Sequence, residues 1–193
     1  MKLRKLIVPF LAALAMSGAA SAAVLTGASG SMANLVTDYS APGLVAFDLD
    51  WKDSSATRLD FMIEEADLLG PLRLNAIIRN LTGEGFRQFT FSLDGIAFSN
   101  DGSVTPAFGT VGKTTWNSAS AGIDFSAPEW AEFHLGNPTG LDNNSDWLLN
   151  TADLRAGDAF SITASVPEPS TISLMLSALA MFGFLAAKQR HKR

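Results

Sequence analysis

Apolar and polar residues alternate with a period of two through much of the middle of the chain. Val45, Phe47, Leu49 and Trp51 interleave with Ala46, Asp48 and Asp50. Leu59, Phe61 and Ile63 interleave with Asp60 and Met62, and Leu72, Leu74, Ala76 and Ile78 with Arg73, Asn75, Ile77 and Arg79. The same rhythm runs through Phe89, Phe91 and Leu93, through Ala131, Phe133 and Leu135, and through Phe160, Ile162, Ala164 and Val166. Successive side chains of a strand point to opposite faces, so each segment predicts a strand with one buried and one solvated face. Turn signals separate them. Residues 80–85 (Asn-Leu-Thr-Gly-Glu-Gly) suggest a hairpin, Asp94-Gly95 and Asp101-Gly102 are tight-turn pairs, and Ala156-Gly157-Asp158 precedes the last strand.

No helical period is sustained within residues 23–166, although 141–156 has room for one short helical turn. Many short strands with regular turns predict an all-β fold: a single antiparallel β-sandwich, jelly-roll or immunoglobulin-like, with a barrel as the alternative. Phe47, Leu49, Phe61, Leu74, Ile78, Phe89, Phe91, Phe133 and Ile162 are the expected core.

The two ends obey a different pattern. Lys2, Arg4 and Lys5 precede an apolar run at 6–16, and Ala20-Ser21-Ala22 supplies the small residues that a signal peptidase reads. Residues 1–22 therefore read as a signal peptide cut between Ala22 and Ala23; the apolar run is too short to span a membrane. At the other end, residues 171–187 form an apolar run of 17 residues. As a helix it would extend about 26 Å, close to a hydrocarbon core of about 30 Å. No polar stripe interrupts 172–187, so a soluble helix there would lack a solvated face. The tail, 188–193, holds Lys188, Arg190, Lys192 and Arg193, which favour the cytoplasmic side. Between domain and run lie Val166, Pro167, Glu168, Pro169 and Ser170. The two prolines bar a helix and hold this peptide extended, the form that proteases grip.

A Val-Pro-Glu-Pro-Ser peptide, an apolar helix and a terminal Arg/Lys cluster resemble the PEP-CTERM sorting signal. The resemblance covers the last 28 residues or so, 166–193, and leaves the central domain unidentified. It implies recognition of Pro167, Glu168 and Pro169 by an exosortase, an integral-membrane cysteine transpeptidase of Gram-negative bacteria. It also implies export, and an association with exopolysaccharide production.

Three units result: the signal peptide (1–22), an extracytoplasmic domain (23–165) and the sorting signal (166–193). Residues 23–166 hold seven Lys/Arg against 18 Asp/Glu, a net charge of −11. An acidic domain is not a nucleic-acid binder, because phosphate contact needs clustered Lys and Arg. The chain has no cysteine. Disulfides, cysteine nucleophiles and cysteine-based metal sites are therefore excluded.

Candidate chemistry within the domain is sparse. His134 stands alone on the polar face of a strand, with no Gly-x-Ser-x-Gly elbow to make it a triad base. Asp48 and Asp50, two apart on one strand face, have a spacing that a glycosidase could use, among further carboxylates at Glu64, Glu65, Glu129 and Glu132. Asp142, Asn144 and Asp146 start like a calcium loop, but Trp147 replaces the glycine at position six and Asp153, not the bidentate Glu, stands at position twelve. Among Trp51, Trp116, Trp130 and Trp147, Trp130 and Trp147 are the candidates for stacking on sugar rings. The expected function is that of an exported surface or matrix protein, structural or adhesive, without enzymatic activity or obligate cofactor. Its expected partners are signal peptidase, exosortase, the inner membrane before processing, and exopolysaccharide. The alternatives are a carbohydrate- or calcium-binding module and a secreted hydrolase.

Overall fold

A computed structural model of the protein describes residues 22–167. The expected signal peptide up to residue 21, and the sorting segment from Glu168 with its expected helix and basic tail, lie outside the described residues. The strands are β1 (Val24–Gly30), β2 (Leu35–Asp38), β3 (Leu44–Trp51), β4 (Thr57–Met62), β5 (Leu72–Asn80), β6 (Phe86–Asp94) and β7 (Ala97–Asn100). They continue as β8 (Val104–Pro106), β9 (Thr110–Trp116), β10 (Ser120–Glu129), β11 (Glu132–Leu135), β12 (Trp147–Asn150) and β13 (Ala159–Ser165). The one helical element among the described residues is a 3-10 turn, Glu65–Leu69. It lies between β4 and β5 and not within 141–156, where the sequence had room for one. None of the described helix is long and apolar enough to cross a membrane.

The strands form two sheets. One runs β1-β4-β13-β6-β10-β9; the other runs β2-β3-β5-β11-β8, with β12 on the first residues of β5 and β7 beyond it. Alternation dictates which side chains go inside: β3 buries Val45, Phe47, Leu49 and Trp51 and leaves the residues between them half-exposed. Aromatic rings from the two sheets meet across the core. Phe47 lies 6.5 Å from Phe61, Trp51 5.2 Å from Phe89, and Phe133 5.1 Å from Phe89 and 5.4 Å from Phe125. Burying each such side chain contributes roughly 1.5–3 kcal/mol, which lets a cysteine-free domain hold together. All nine side chains expected in the core are buried.

Two features of the predicted sandwich are corrected. The sheets are not purely antiparallel: β3 and β5 pair parallel, from Leu44 opposite Arg73 to Trp51 opposite Asn80. Parallel neighbours need a crossover, and residues 52–71 provide it by passing through β4 in the other sheet. Nor is 80–85 a hairpin, because the strands it joins, β5 and β6, belong to different sheets. A tight turn in sequence specifies reversal of the chain; it does not specify that the flanking strands pair.

Strand register fixes which turns are neighbours. In the first sheet, Gly30 faces Thr57, Thr57 faces Ala164, Ala164 faces Phe91, and Phe86 faces Glu129. In the second, Leu35 faces Asp50, Asp50 faces Arg79, Arg79 faces Glu132, and Phe133 faces Pro106. The turns 31–34, 52–56, 81–85, 107–109 and 130–131 therefore gather at one end of the two layers. The chain leaves the domain there, after Ser165. Met62, paired with Val24 and Ala159, marks the opposite end.

Candidate functional site

The sorting peptide begins at the edge of the core. β13 is a central strand, hydrogen-bonded to β4 and β6, and Ile162 and Ala164 are fully buried. Val166 still packs against the core, and Pro167 is exposed. Val166 borders a cavity of about 260 Å³ shared with Trp51, Lys52, Asp53, Gly85 and Phe86. The first two residues of the Val-Pro-Glu-Pro-Ser peptide are thus placed by the fold, and Glu168, Pro169 and Ser170 lie outside the described residues. At the other terminus Ala22 is half-buried and Ala23 fully buried. Ala20 is outside the described residues.

Beside the chain exit is a cleft of about 450 Å³, bordered by Arg79, Leu81, Phe108, Trp130 and Glu132. Its shape depends on two buried polar side chains. Glu129 has no exposed surface, and its carboxylate accepts four backbone hydrogen bonds. Phe108 and Gly109 donate to Oε2 at 2.9 and 2.7 Å, and Ala131 and Glu132 donate to Oε1 at 2.8 and 3.2 Å. Burial opposes ionisation of this carboxyl, but the four N–H groups outweigh it and hold the pKa below the ordinary value. Asn80 does the same for the neighbouring turn. Its Nδ2 donates to the carbonyls of Glu84 (2.6 Å) and Glu129 (3.0 Å), and its Oδ1 accepts from the Thr82 hydroxyl at 2.8 Å. These turns present two aromatic side chains to solvent: Phe108 is 78% exposed and Trp130 59%. Trp130 lies over Gly85, where a Cβ would come within 2.8 Å of its ring.

From the cleft a charged ladder crosses the outer face of the second sheet. Arg79 donates to Asp48 at 2.5 Å and to Asp50 at 3.2 Å, and its Nε lies 3.6 Å from Glu132. The hydrogen bond to Asp48 is the largest cause holding the guanidinium in its charged form. Glu132 in turn contacts His134 Nε2 at 3.3 Å, while His134 Nδ1 has no partner. Asp48 and Asp50 are therefore both committed to one cation and do not stand as a free carboxylate pair.

The other sequence candidates are dispersed. Asp146 lies 3.7 Å from Arg73, and Asn144 donates to the Thr105 hydroxyl at 3.3 Å. Asp142 is exposed on the loop that Asn137 ties together through the backbone of Leu141 and Asn144. Among the described residues no three His, Asp or Glu are grouped to hold a metal. Trp147 is corrected as a sugar-stacking residue. It is 0% exposed, packs edge-on against Phe98 at 5.3 Å and donates its indole N–H to the Ser103 carbonyl. Trp116 is partly exposed, but it ends β9 while Phe108 precedes that strand, so it shares no surface with Trp130.

Sequence reasoning counted Glu129 as one more carboxylate and did not single out Phe108 at all. One signal was present: Glu129 is in phase with Ala121, Ile123 and Phe125, the inward positions of β10. An acid on an inward position implies a buried carboxylate with partners.

Comparison with known proteins identifies only the exit segment. No curated protein and no solved structure matches the chain. The family model of the PEP-CTERM protein-sorting motif matches residues 165–190, beginning at the last residue of β13. The chain thus carries a PEP-CTERM protein-sorting motif, which implies an exported, membrane-anchored precursor processed by an exosortase.

Proposed function

We propose that this chain is an exported surface or matrix protein of a Gram-negative bacterium, carrying a two-layer β-sandwich domain with a structural or adhesive role alongside exopolysaccharide. The observation that carries the reading is the position of the sorting peptide, which follows directly on a central strand. Exosortase can therefore act on the chain without dismantling the sheet, and the folded domain is the cargo. The aromatic core, the acidic surface and the lack of thiols suit a domain that must persist outside the cell. The carbohydrate-binding alternative rests on Trp130, now beside Phe108 in place of Trp147. The calcium alternative rests on Asp142 and its loop, and the hydrolase alternative has lost its free carboxylate pair to Arg79.

The test is to follow precursor and mature bands in membrane and external fractions, with and without the native exosortase. Processing that needs the enzyme, followed by recovery of mature protein with surface polysaccharide, supports the proposal. Identical bands in both strains would remove its sorting basis. Isothermal titration of the mature protein with exopolysaccharide and with calcium separates the matrix role from the two binding alternatives.

A further inference from the structure

The exit end of the domain presents apolar side chains that its own fold does not use. Phe108, Trp130 and Leu81 border one cleft, and Met32 projects from another turn at the same end. Leu81 is 52% exposed. These groups are not loosely held, because buried Glu129 and Asn80 fix the turns that carry them. A contiguous exposed apolar patch marks an interaction surface.

Charge says which way this end faces. The domain is strongly acidic, but outside the buried Glu129 the turns and strand starts at the exit end carry Lys52, Arg58 and Arg87 against Asp53, Glu84 and Glu132, a balance. Outside the buried Asp67, the turns and strand starts at the opposite end carry Glu64, Glu65, Asp153 and Asp158 against Arg73 and Arg155. Acid is thus concentrated away from the exit, where repulsion by an anionic surface would otherwise be felt.

Chain length adds the third constraint. The apolar run of the sorting signal starts at Thr171, five residues after Val166. Fully extended, that tether spans about 17 Å at roughly 3.3–3.6 Å per residue. The headgroup layer on each side of a bilayer is about 5–7 Å thick. The exit end is therefore held within about 10 Å of the lipid headgroups while the run is in the membrane.

We propose that in the membrane-anchored precursor the exit end of the domain docks on the lipid interface, with Phe108, Trp130 and Leu81 as the inserted side chains. Tryptophan favours that boundary because its ring is apolar and its N–H stays hydrated. Three side chains bind a bilayer weakly, but a short tether makes the contact intramolecular and raises the local concentration. Cutting the tether removes that advantage, so processing itself releases the domain from the membrane.

This inference rests on the anchored-precursor reading, and the experiment separates the two. The natural chain has no cysteine, so Phe108→Cys, Leu81→Cys and Leu69→Cys each offer one labelling site. Leu69 is exposed at the opposite end and serves as the control. Full-length precursor carrying an environment-sensitive fluorophore is reconstituted into phosphatidylethanolamine/phosphatidylglycerol vesicles containing nitroxide lipids. Flotation with the vesicles reports the anchor; lipid quenching reports docking. The expected result is flotation of all three variants, with blue shift and quenching at 108 and 81 and neither at 69. Flotation with all three labels in water overturns docking and leaves the anchor standing. Protection of the 108 label by added exopolysaccharide, without lipid quenching, also overturns it and assigns the patch to a glycan. Failure to float overturns both readings.

Discussion

The backbone N–H of Gly109 donates a 2.7 Å hydrogen bond to Oε2 of Glu129, a carboxylate with no exposed surface. Through this contact an acid in β10 fixes the turn that presents Phe108, while the other oxygen fixes the turn that follows Trp130. Glu129→Gln would place an NH2 against backbone N–H donors. The loss should be about 3 kcal/mol, the scale of a charge-assisted bond plus an unsatisfied donor. Gly109→Ala should destabilise by about 1–3 kcal/mol, since its Cβ would meet the Ala127 carbonyl at 2.9 Å and Glu129 Cα at 3.0 Å. Urea unfolding of the mature protein measures both.

The same carboxylate predicts the acid limit of the fold. Its folded pKa lies below the ordinary 4.5. The stabilisation is therefore fully present above that value and is lost as pH falls through the lower, folded value. Asp53, lowered first by the hydroxyl of Ser31, acts in the same direction. Urea midpoints should fall as the pH drops below about 4.5 in the natural protein. Glu129→Gln should show a shallower fall in that window; parallel curves would mean that Glu129 does not set the limit.

The tryptophans should separate sharply. Trp147→Ala opens a cavity in the core beside Phe98 and should cost about 3–5 kcal/mol. Trp130→Ala removes a ring already more than half in water and should cost less than about 1 kcal/mol. Equal losses in thermal or urea unfolding would contradict the burial assigned to these two residues.

What the sequence disclosed, and what it withheld, follows from range. Alternation is local, so β3, β4, β5, β6, β11 and β13 were legible along with their inward side chains. β10 carries the same rhythm at Ala121, Ile123 and Phe125, but Gly122 and the Ala127-Pro128 break near its shifted register obscured it. Pairing is not local. Nothing in residues 80–85 says that β5 and β6 separate into different sheets, and nothing in β3 says that it will lie parallel to β5. Trp147 was misplaced for a similar reason, because its polar neighbours Ser145 and Asp146 looked like an exposed loop. The sorting motif was legible because membrane recognition reads sequence order directly.

Arg79 should contribute through electrostatics that salt can screen. It neutralises Asp48 and Asp50 across β3 and β5, yet its side chain is 39% exposed. Arg79→Met keeps most of the packing stem and removes the cation. The loss should be about 1 kcal/mol at low ionic strength and should shrink as salt is raised. A large loss independent of salt would show that the side chain acts through packing instead.

The last prediction concerns where the mature chain can end. β13 lies between β4 and β6, and its inward residues Phe160, Ile162 and Ala164 are buried, so removing it would split the first sheet in two. Val166 only borders the core, and Pro167 is exposed. A chain stopped after Pro167 should therefore unfold at the same temperature as the domain in the full precursor. A chain stopped after Asp158 should not fold cooperatively. Within the motif, Glu168→Ala removes the one charge while leaving both prolines, and should slow maturation. Pro167→Ala combined with Pro169→Ala frees the backbone and should leave uncut precursor in the membrane. In each of these variants the domain should melt like the natural one, because the changed residues follow the last strand. Intact mass of the mature protein locates the cut. A mature C-terminus before Ser165 would mean that exosortase acts on an unfolded chain, and the sorting order drawn from β13 would have to be reversed.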